Sequence, residues 1–170
     1  MGVKDYVGKA LKIKQTSAFD IKELYKNLRK WVEDRGYNIA ETSYTEKPTA
    51  DGSKKTNFFW ACSKKVETYT KLVIEFTFTS ETKEVIVEKD EKSKTLQEGE
   101  VEIILNAFIS KDLEDDWALK EKSGLQRILR EIYDKVTKKT RYGTYEEKLK
   151  KDKEAILYDA KTYLKMHRFD

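Results

Sequence analysis

The 170-residue sequence holds one cysteine, one histidine, one proline and two methionines, and each scarcity narrows what the chain can be. Cys62 has no second cysteine to pair with, so no intrachain disulfide is available and a reducing, cytoplasmic setting is expected. Seven glycines are scattered along the chain and form neither a Walker-type loop nor a dinucleotide fingerprint, which argues against nucleotide-dependent chemistry. No run approaches eighteen apolar residues, and Met1 to Leu11 carries lysines without an apolar stretch ahead of a small-residue cleavage site. Neither a transmembrane segment nor a signal peptide is expected.

Charge is what the sequence has in excess. Asp, Glu, Lys and Arg make up 39% of the residues, with 35 basic against 31 acidic side chains and a net charge of +4. Lysine and glutamate dominate. Together with the few Cys, His and Met, this resembles the composition of proteins from heat-loving organisms, although the single proline, Pro48, points the other way. Hydrophobic residues at 38% and aromatics at 12%, with Trp31, Trp60 and Trp117 spread along the chain, exclude the disordered class. A chain of this length buries one core, so residues 1–170 are read as a single domain.

Hydrophobic spacing gives the order of the elements. Asp20, with Glu23 three residues on, starts a helix whose Ile21, Leu24, Tyr25, Leu28, Trp31 and Val32 share one face, and Gly36 stands at its expected left-handed cap. From Tyr37 to Ser110 the period changes to two. Ala40 to Tyr44 lead into a hairpin tip at 48–53, after which Phe58, Trp60 and Cys62 alternate with polar neighbours. Leu72, Ile74, Phe76 and Phe78 form the cleanest amphipathic strand. Ser80 to Lys83 are expected to turn the chain, Val85 to Glu88 to form a short strand, Lys89 to Gly99 a charged connection, and Val101 to Ile109 the last strand. Lys9 to Lys14 can add an edge strand. Two amphipathic helices then follow, one capped by Ser123 and carrying Leu125 to Val136, the other capped by Thr144 and carrying Leu149 to Leu164.

The expected fold is therefore α+β: an antiparallel β-meander sheet of five to six strands, covered on one face by an N-terminal helix and two C-terminal amphipathic helices. In element order alone, a sheet wrapped round a long helix resembles the helix-grip lipid-binding folds and the pleckstrin-like barrels.

Catalytic constellations are sparse. His167 lies three residues from the end, and Cys62 continues the Phe58 and Trp60 row, which reads as a buried small hydrophobe. Asp112, Glu114, Asp115 and Asp116 could offer oxygen ligands to a hard cation, but they lack the spacing of a calcium loop and read as a solvated acidic turn before a helix. Glu88, Asp90 and Lys92 after an apolar strand have the look of a metal-dependent nuclease triplet, without an upstream partner carboxylate. No enzyme activity, metal or cofactor is expected.

Charge distribution says more. Lys120 to Lys153 holds twelve basic against six acidic residues, and Glu81 to Asp116 five against twelve. The expectation is a non-enzymatic binding or interaction protein whose Lys138, Lys139, Arg141, Lys148 and Lys151 engage an anionic partner, a nucleic acid or anionic surface, with Tyr142 and Tyr145 beside them. The same asymmetry would serve a protein partner or a homo-oligomer. The alternative is a carrier of a hydrophobic small molecule, with a cavity between sheet and helices lined by Trp60, Phe76, Phe78 and Leu105.

Overall fold

The computed structural model describes residues 3–111, 128, 132 and 141–166. Along the chain the elements are β1 (Val3–Tyr6), β2 (Leu11–Phe19), α1 (Ile21–Asp34), β3 (Asn38–Pro48), β4 (Lys54–Glu67), β5 (Thr70–Lys89), β6 (Lys92–Lys111) and α2 (Gly143–Met166).

Helix α1 begins and ends as its sequence dictates. The Asp20 carboxylate accepts from the backbone N–H groups of Lys22 and Glu23. At the other end Gly36, at φ +85, lets Tyr37 N–H reach Val32 O and its own N–H reach Glu33 O, the paired bonds of a Schellman cap. Leu24, Leu28 and Val32 are fully buried beneath it.

All strand pairing is antiparallel. β3, β4, β5 and β6 form a meander, and the N-terminal β1 and β2 return to pair with β6, which gives six strands in one sheet. Phe58, Trp60 and Cys62 of β4 lie opposite Phe78, Phe76 and Ile74 of β5. These in turn face Ile103, Leu105 and Ala107 of β6. Leu11 and Ile13 of β2 complete the face against Leu105 and Ile103. Period-two alternation thus puts one continuous apolar surface beneath the helices. Helix α1 packs on β3 and α2, and α2 on β2, β6 and β5.

Three expectations change. The chain does not turn at Ser80 to Lys83. β5 runs unbroken for 20 residues and β6 for 20 more, so Lys89 to Gly99 is mostly strand and the expected short strand is part of β5. The turn falls at Asp90 and Glu91, both with positive φ (53 and 62), a geometry whose twist matches that of the flanking strands. Ser80 and Thr82 look like turn residues by composition, but both are buried and continue the inward row of Phe76 and Phe78.

Second, the described residues carry two helices where three were expected. The stretch from Ser123 to Val136 lies outside them apart from Ile128 and Ile132, which are helical and exposed. Third, Thr144 does not cap α2. Arg141 and Tyr142 wind directly into the helix and Thr144 is its second residue.

Lys153 breaks the apolar stripe of α2. Its Nζ donates to Val7 O at 3.2 Å and to Lys9 O at 2.8 Å, closing the gap between β1 and β2, where Gly8 takes φ +68. No described helix is long and apolar enough to cross a membrane.

Candidate functional site

Beyond the aromatic rows the inward face of the sheet turns polar, and a pocket of about 530 Å³ opens there. One wall comes from the β3–β4 hairpin. Thr49 N–H donates to Ser53 O at 2.7 Å, and the Asp51 carboxylate accepts from Thr49 Oγ1, Ser53 N–H and Ser53 Oγ, while Gly52 takes φ +85. These donors hold the Asp51 carboxyl down at about 2, so the tip is built around a permanent carboxylate. Pro48, Gly52 and Ser53 from this tip line the pocket.

The second wall is the start of α1. Ile21 lines the pocket, and its backbone N–H donates to Gln97 Oε1 of β6 at 2.9 Å, tying the helix to the sheet at the pocket edge. The floor is formed by Thr56 of β4 with Thr82 of β5.

Two buried hydroxyls mark this end of the sheet. Thr56 Oγ1 and Ser80 Oγ have no hydrogen-bond partner, although both residues are only 1% exposed and sit directly opposite each other in the β4–β5 ladder. Buried polar groups are nearly always bonded, because an orphan forfeits its hydration without return. Thr56 is among the residues that line the pocket.

Glu46, Lys54, Lys83 and Glu84 are the charged residues of the lining, and Lys83 alternates with the inward Thr82 so that its side chain belongs to the opposite face of the sheet. Glu46 is engaged twice, by Lys54 at 2.7 Å and by the Tyr44 hydroxyl at 2.6 Å, and these donors, Lys54 first, lower its pKa. Tyr44, 45% exposed, stacks on Phe58.

Three of the expected anion-binding residues pair with carboxylates. Arg141 lies 3.7 Å from Glu67, Lys148 lies 3.2 Å from Asp152, and Lys151 lies 3.0 Å from Glu147. Lys138 and Lys139 fall outside the described residues. Tyr145 donates to Glu67 at 3.0 Å, and the Tyr142 ring lies under Lys111 Nζ at 4.1 Å, so both tyrosines are engaged within the fold.

Trp60, Phe76, Phe78 and Leu105, expected to line an apolar cavity, are fully buried core residues. Phe58 stacks on Phe78 at 4.5 Å, and Trp60 meets Phe76 at 5.1 Å, so these rings fill the space between sheet and helices.

Cys62 is fully buried and burial pushes its thiol up to about 12, which makes it inert as a nucleophile. Glu88, Asp90 and Lys92 stand at the exposed β5–β6 tip. Among the described residues no group of three His, Cys, Asp or Glu converges as a metal site. His167 and Asp112 to Asp116 fall outside them.

Sequence reasoning missed the pocket, yet a signal was present. Thr56 belongs to the same alternating row as Phe58, Trp60 and Cys62, and Ser80 and Thr82 to that of Phe76 and Phe78.

No protein-family model and no curated protein sequence matches the chain. Among solved structures, an uncharacterized protein from Rhizobium leguminosarum aligns over 94% of this chain and 99% of its own, at 12% identity and a TM-score of 0.21. A likeness at that score carries nothing about fold or function.

Proposed function

We propose that this chain is a non-enzymatic binding protein that holds a small polar ligand in the pocket between the β3–β4 hairpin and the start of α1. The observation that carries the reading is the polar lining of the pocket, with Ser53, Thr56, Thr82 and Gln97 drawn from three strands and the hairpin tip. The volume of about 530 Å³ falls in the range of small-molecule sites. The ionisable side chains around it suit holding better than chemistry: Glu46 is kept ionised by Lys54 and Tyr44, and among the described residues no thiol or histidine lines the wall. The proposed site lies at the polar end of the sheet face whose centre is the aromatic core.

Native mass spectrometry of gently purified protein, beside a Thr56→Val variant, tests this. A stoichiometric adduct of a few hundred daltons that is lost or weakened in the variant supports the reading. A bare protein that also shows no thermal shift with millimolar sugars, amino acids, nucleosides or dicarboxylates refutes it.

A basic surface at the start of α2 is the second reading. It is favoured by the exposed setting of the pairs made by Arg141 and Lys151. Surface ion pairs are worth roughly 0–1 kcal/mol, so a polyanion could displace those carboxylates at little cost. Replacing Lys138, Lys139 and Arg141 by Gln together should then abolish salt-sensitive retention on a polyanion column. Unchanged retention removes this reading.

A further inference from the structure

We propose that the free edge of β5 beyond Thr82 captures an extended segment of a partner protein by strand addition. The segment carries an apolar residue with a lysine or arginine two positions away on each side. The proposal is independent of the pocket reading.

The edge is free because β5 and β6 outrun their neighbours. β4 pairs with β5 only as far as Lys54 opposite Thr82, and β2 with β6 only as far as Phe19 opposite Gln97. Beyond these points the two strands continue alone as a ribbon that closes with Lys89 opposite Lys92. An isolated two-stranded ribbon is only marginally stable in water. The two-residue turn at Asp90 and Glu91 makes its flanking pair a bonded one, and bonded pairs recur at every second residue of an antiparallel ladder. The N–H and C=O groups of Glu84, Ile86 and Glu88 therefore point away from β6. Unpaired main chain of this kind is a template for another strand.

The other long edge of the sheet is protected. β3 carries a bulge between Glu41 and Ser43 and ends in Pro48, and both features hinder a further strand. The ladder of β5 with β6 is unbroken from Thr70 to Lys89. At its free edge Ile86 is 73% exposed, the highest value among the large hydrophobic side chains of the described residues.

Charge identifies what docks. Elsewhere in the sheet a carboxylate is answered by a lysine on the neighbouring strand: Glu81 by Lys55 at 3.7 Å, Glu46 by Lys54 at 2.7 Å, Glu102 by Lys12 at 3.2 Å and Glu100 by Lys14 at 3.3 Å. Glu84 and Glu88 flank Ile86 on one side of β5, and among the described residues neither has an ion-pair partner. The strand that would answer them is the missing one. It should place a basic residue opposite each carboxylate and an apolar residue opposite Ile86. A second copy of this chain fits poorly. The two-fold register that bonds all three residues sets Glu84 opposite Glu88 of the other copy, twice, and like charges directly opposite repel.

The test titrates the full chain with two end-blocked peptides, Thr-Lys-Thr-Ile-Thr-Lys-Thr and Thr-Glu-Thr-Ile-Thr-Glu-Thr, and reads amide chemical shifts. The basic peptide should shift the amides of Glu84, Ile86 and Glu88 and bind on the order of tenfold more tightly than the acidic one. Raising the salt concentration should narrow that difference. Ile86→Pro removes an N–H that β6 does not use, so the fold should persist while binding is lost. Glu84→Lys combined with Glu88→Lys leaves the backbone alone and should reverse the preference, which keeps the test decisive if Ile86→Pro fails to fold. Glu88 does not line the pocket, so Glu88→Lys alone should weaken the basic peptide and leave any pocket ligand bound as before.

Equal binding of the two peptides would overturn the basic partner. Shifts confined to β3 or to the pocket would overturn the placement, and no binding at millimolar peptide would overturn the docking edge itself. Self-association that strengthens with salt and disappears in Ile86→Pro would give the edge to a second copy and likewise overturn the proposal.

Discussion

Replacing Thr56 by valine should make the ligand-free protein more stable. The side chain is 1% exposed, its Oγ1 has no partner, and valine keeps the branched shape and rotamer preference at Cβ. An orphaned buried polar atom costs about 1–3 kcal/mol, and a methyl in its place removes that cost and adds apolar contact. Allowing for relaxation around the site, the gain should be about 1 kcal/mol. For a chain of this size that corresponds to a rise in Tm of about 2–4 °C. Urea unfolding should show a higher midpoint at an unchanged m-value, since the surface exposed on unfolding is nearly the same. The cross-strand neighbour makes the prediction sharper. Ser80 lies directly opposite Thr56, and Ser80→Ala should stabilise for the same reason. If the two hydroxyls instead rotate to bond each other in solution, each single substitution orphans the other group and destabilises by about 1 kcal/mol, while the double variant costs less than the two together. Destabilisation by Thr56→Val would refute the reading of an unpartnered hydroxyl, and the double variant would then reveal whether Ser80 is the partner.

Further outcomes follow from the same region and from the core. Asp51→Asn should lower Tm at pH 7 by removing the carboxylate that organises the hairpin tip. Because the folded pKa of about 2 lies below the ordinary carboxyl value, that stabilisation is complete above about pH 4 and is lost as pH falls through about 2, so melting curves of the two proteins should converge in acid. A gap at pH 2 as large as at pH 7 would show that the charge is not the cause. Gly99→Ala should cost more than about 2 kcal/mol, since a Cβ there would stand 2.1 Å from Glu81 O, a backbone atom that cannot swing aside; a near-neutral effect in denaturant unfolding would contradict the close approach of β5 and β6. Cys62 should stay unreactive toward a thiol-specific disulfide reagent in the native state and react at a rate limited by opening of the fold, and stoichiometric labelling within seconds would contradict its burial.

Much of the architecture is legible in the sequence because burial imposes its period. Helix α1 with Asp20 and Gly36 at its ends, the hairpin tip at 48–53 and the inward rows of β4, β5 and β6 follow from spacing alone. The boundary errors have a common origin. Ser80, Thr82 and the charged residues up to Gly99 have the composition of a loop, whereas their β-branched neighbours and continuous alternation belong to strands that extend past the apolar core. The actual turn at Asp90 and Glu91 contains neither Gly nor Pro and so carries little local signal. The same bias hid the candidate site, since polar residues on the inward row were read as an ending of structure and not as a lining. Pairings such as Lys148 with Asp152 and Arg141 with Glu67 alter what a lysine-rich composition suggests. The first follows from i,i+4 spacing, while the second joins residues far apart in sequence and depends on the fold.

The return of the first strands to the last one has a consequence for synthesis. Leu11 and Ile13 of β2 pair with Leu105 and Ile103 of β6, and every residue between must leave the ribosome before that edge of the sheet can form. At about 5–20 residues per second, the interval is on the order of ten seconds. Throughout it Phe19, Leu24 and Leu28, fully buried in the finished fold, have no β6 to close over them. The nascent chain therefore offers an early, apolar segment to whatever chaperone waits at the exit tunnel, and that edge of the sheet can form only once β6, the interior strand that joins it to β5, has been made.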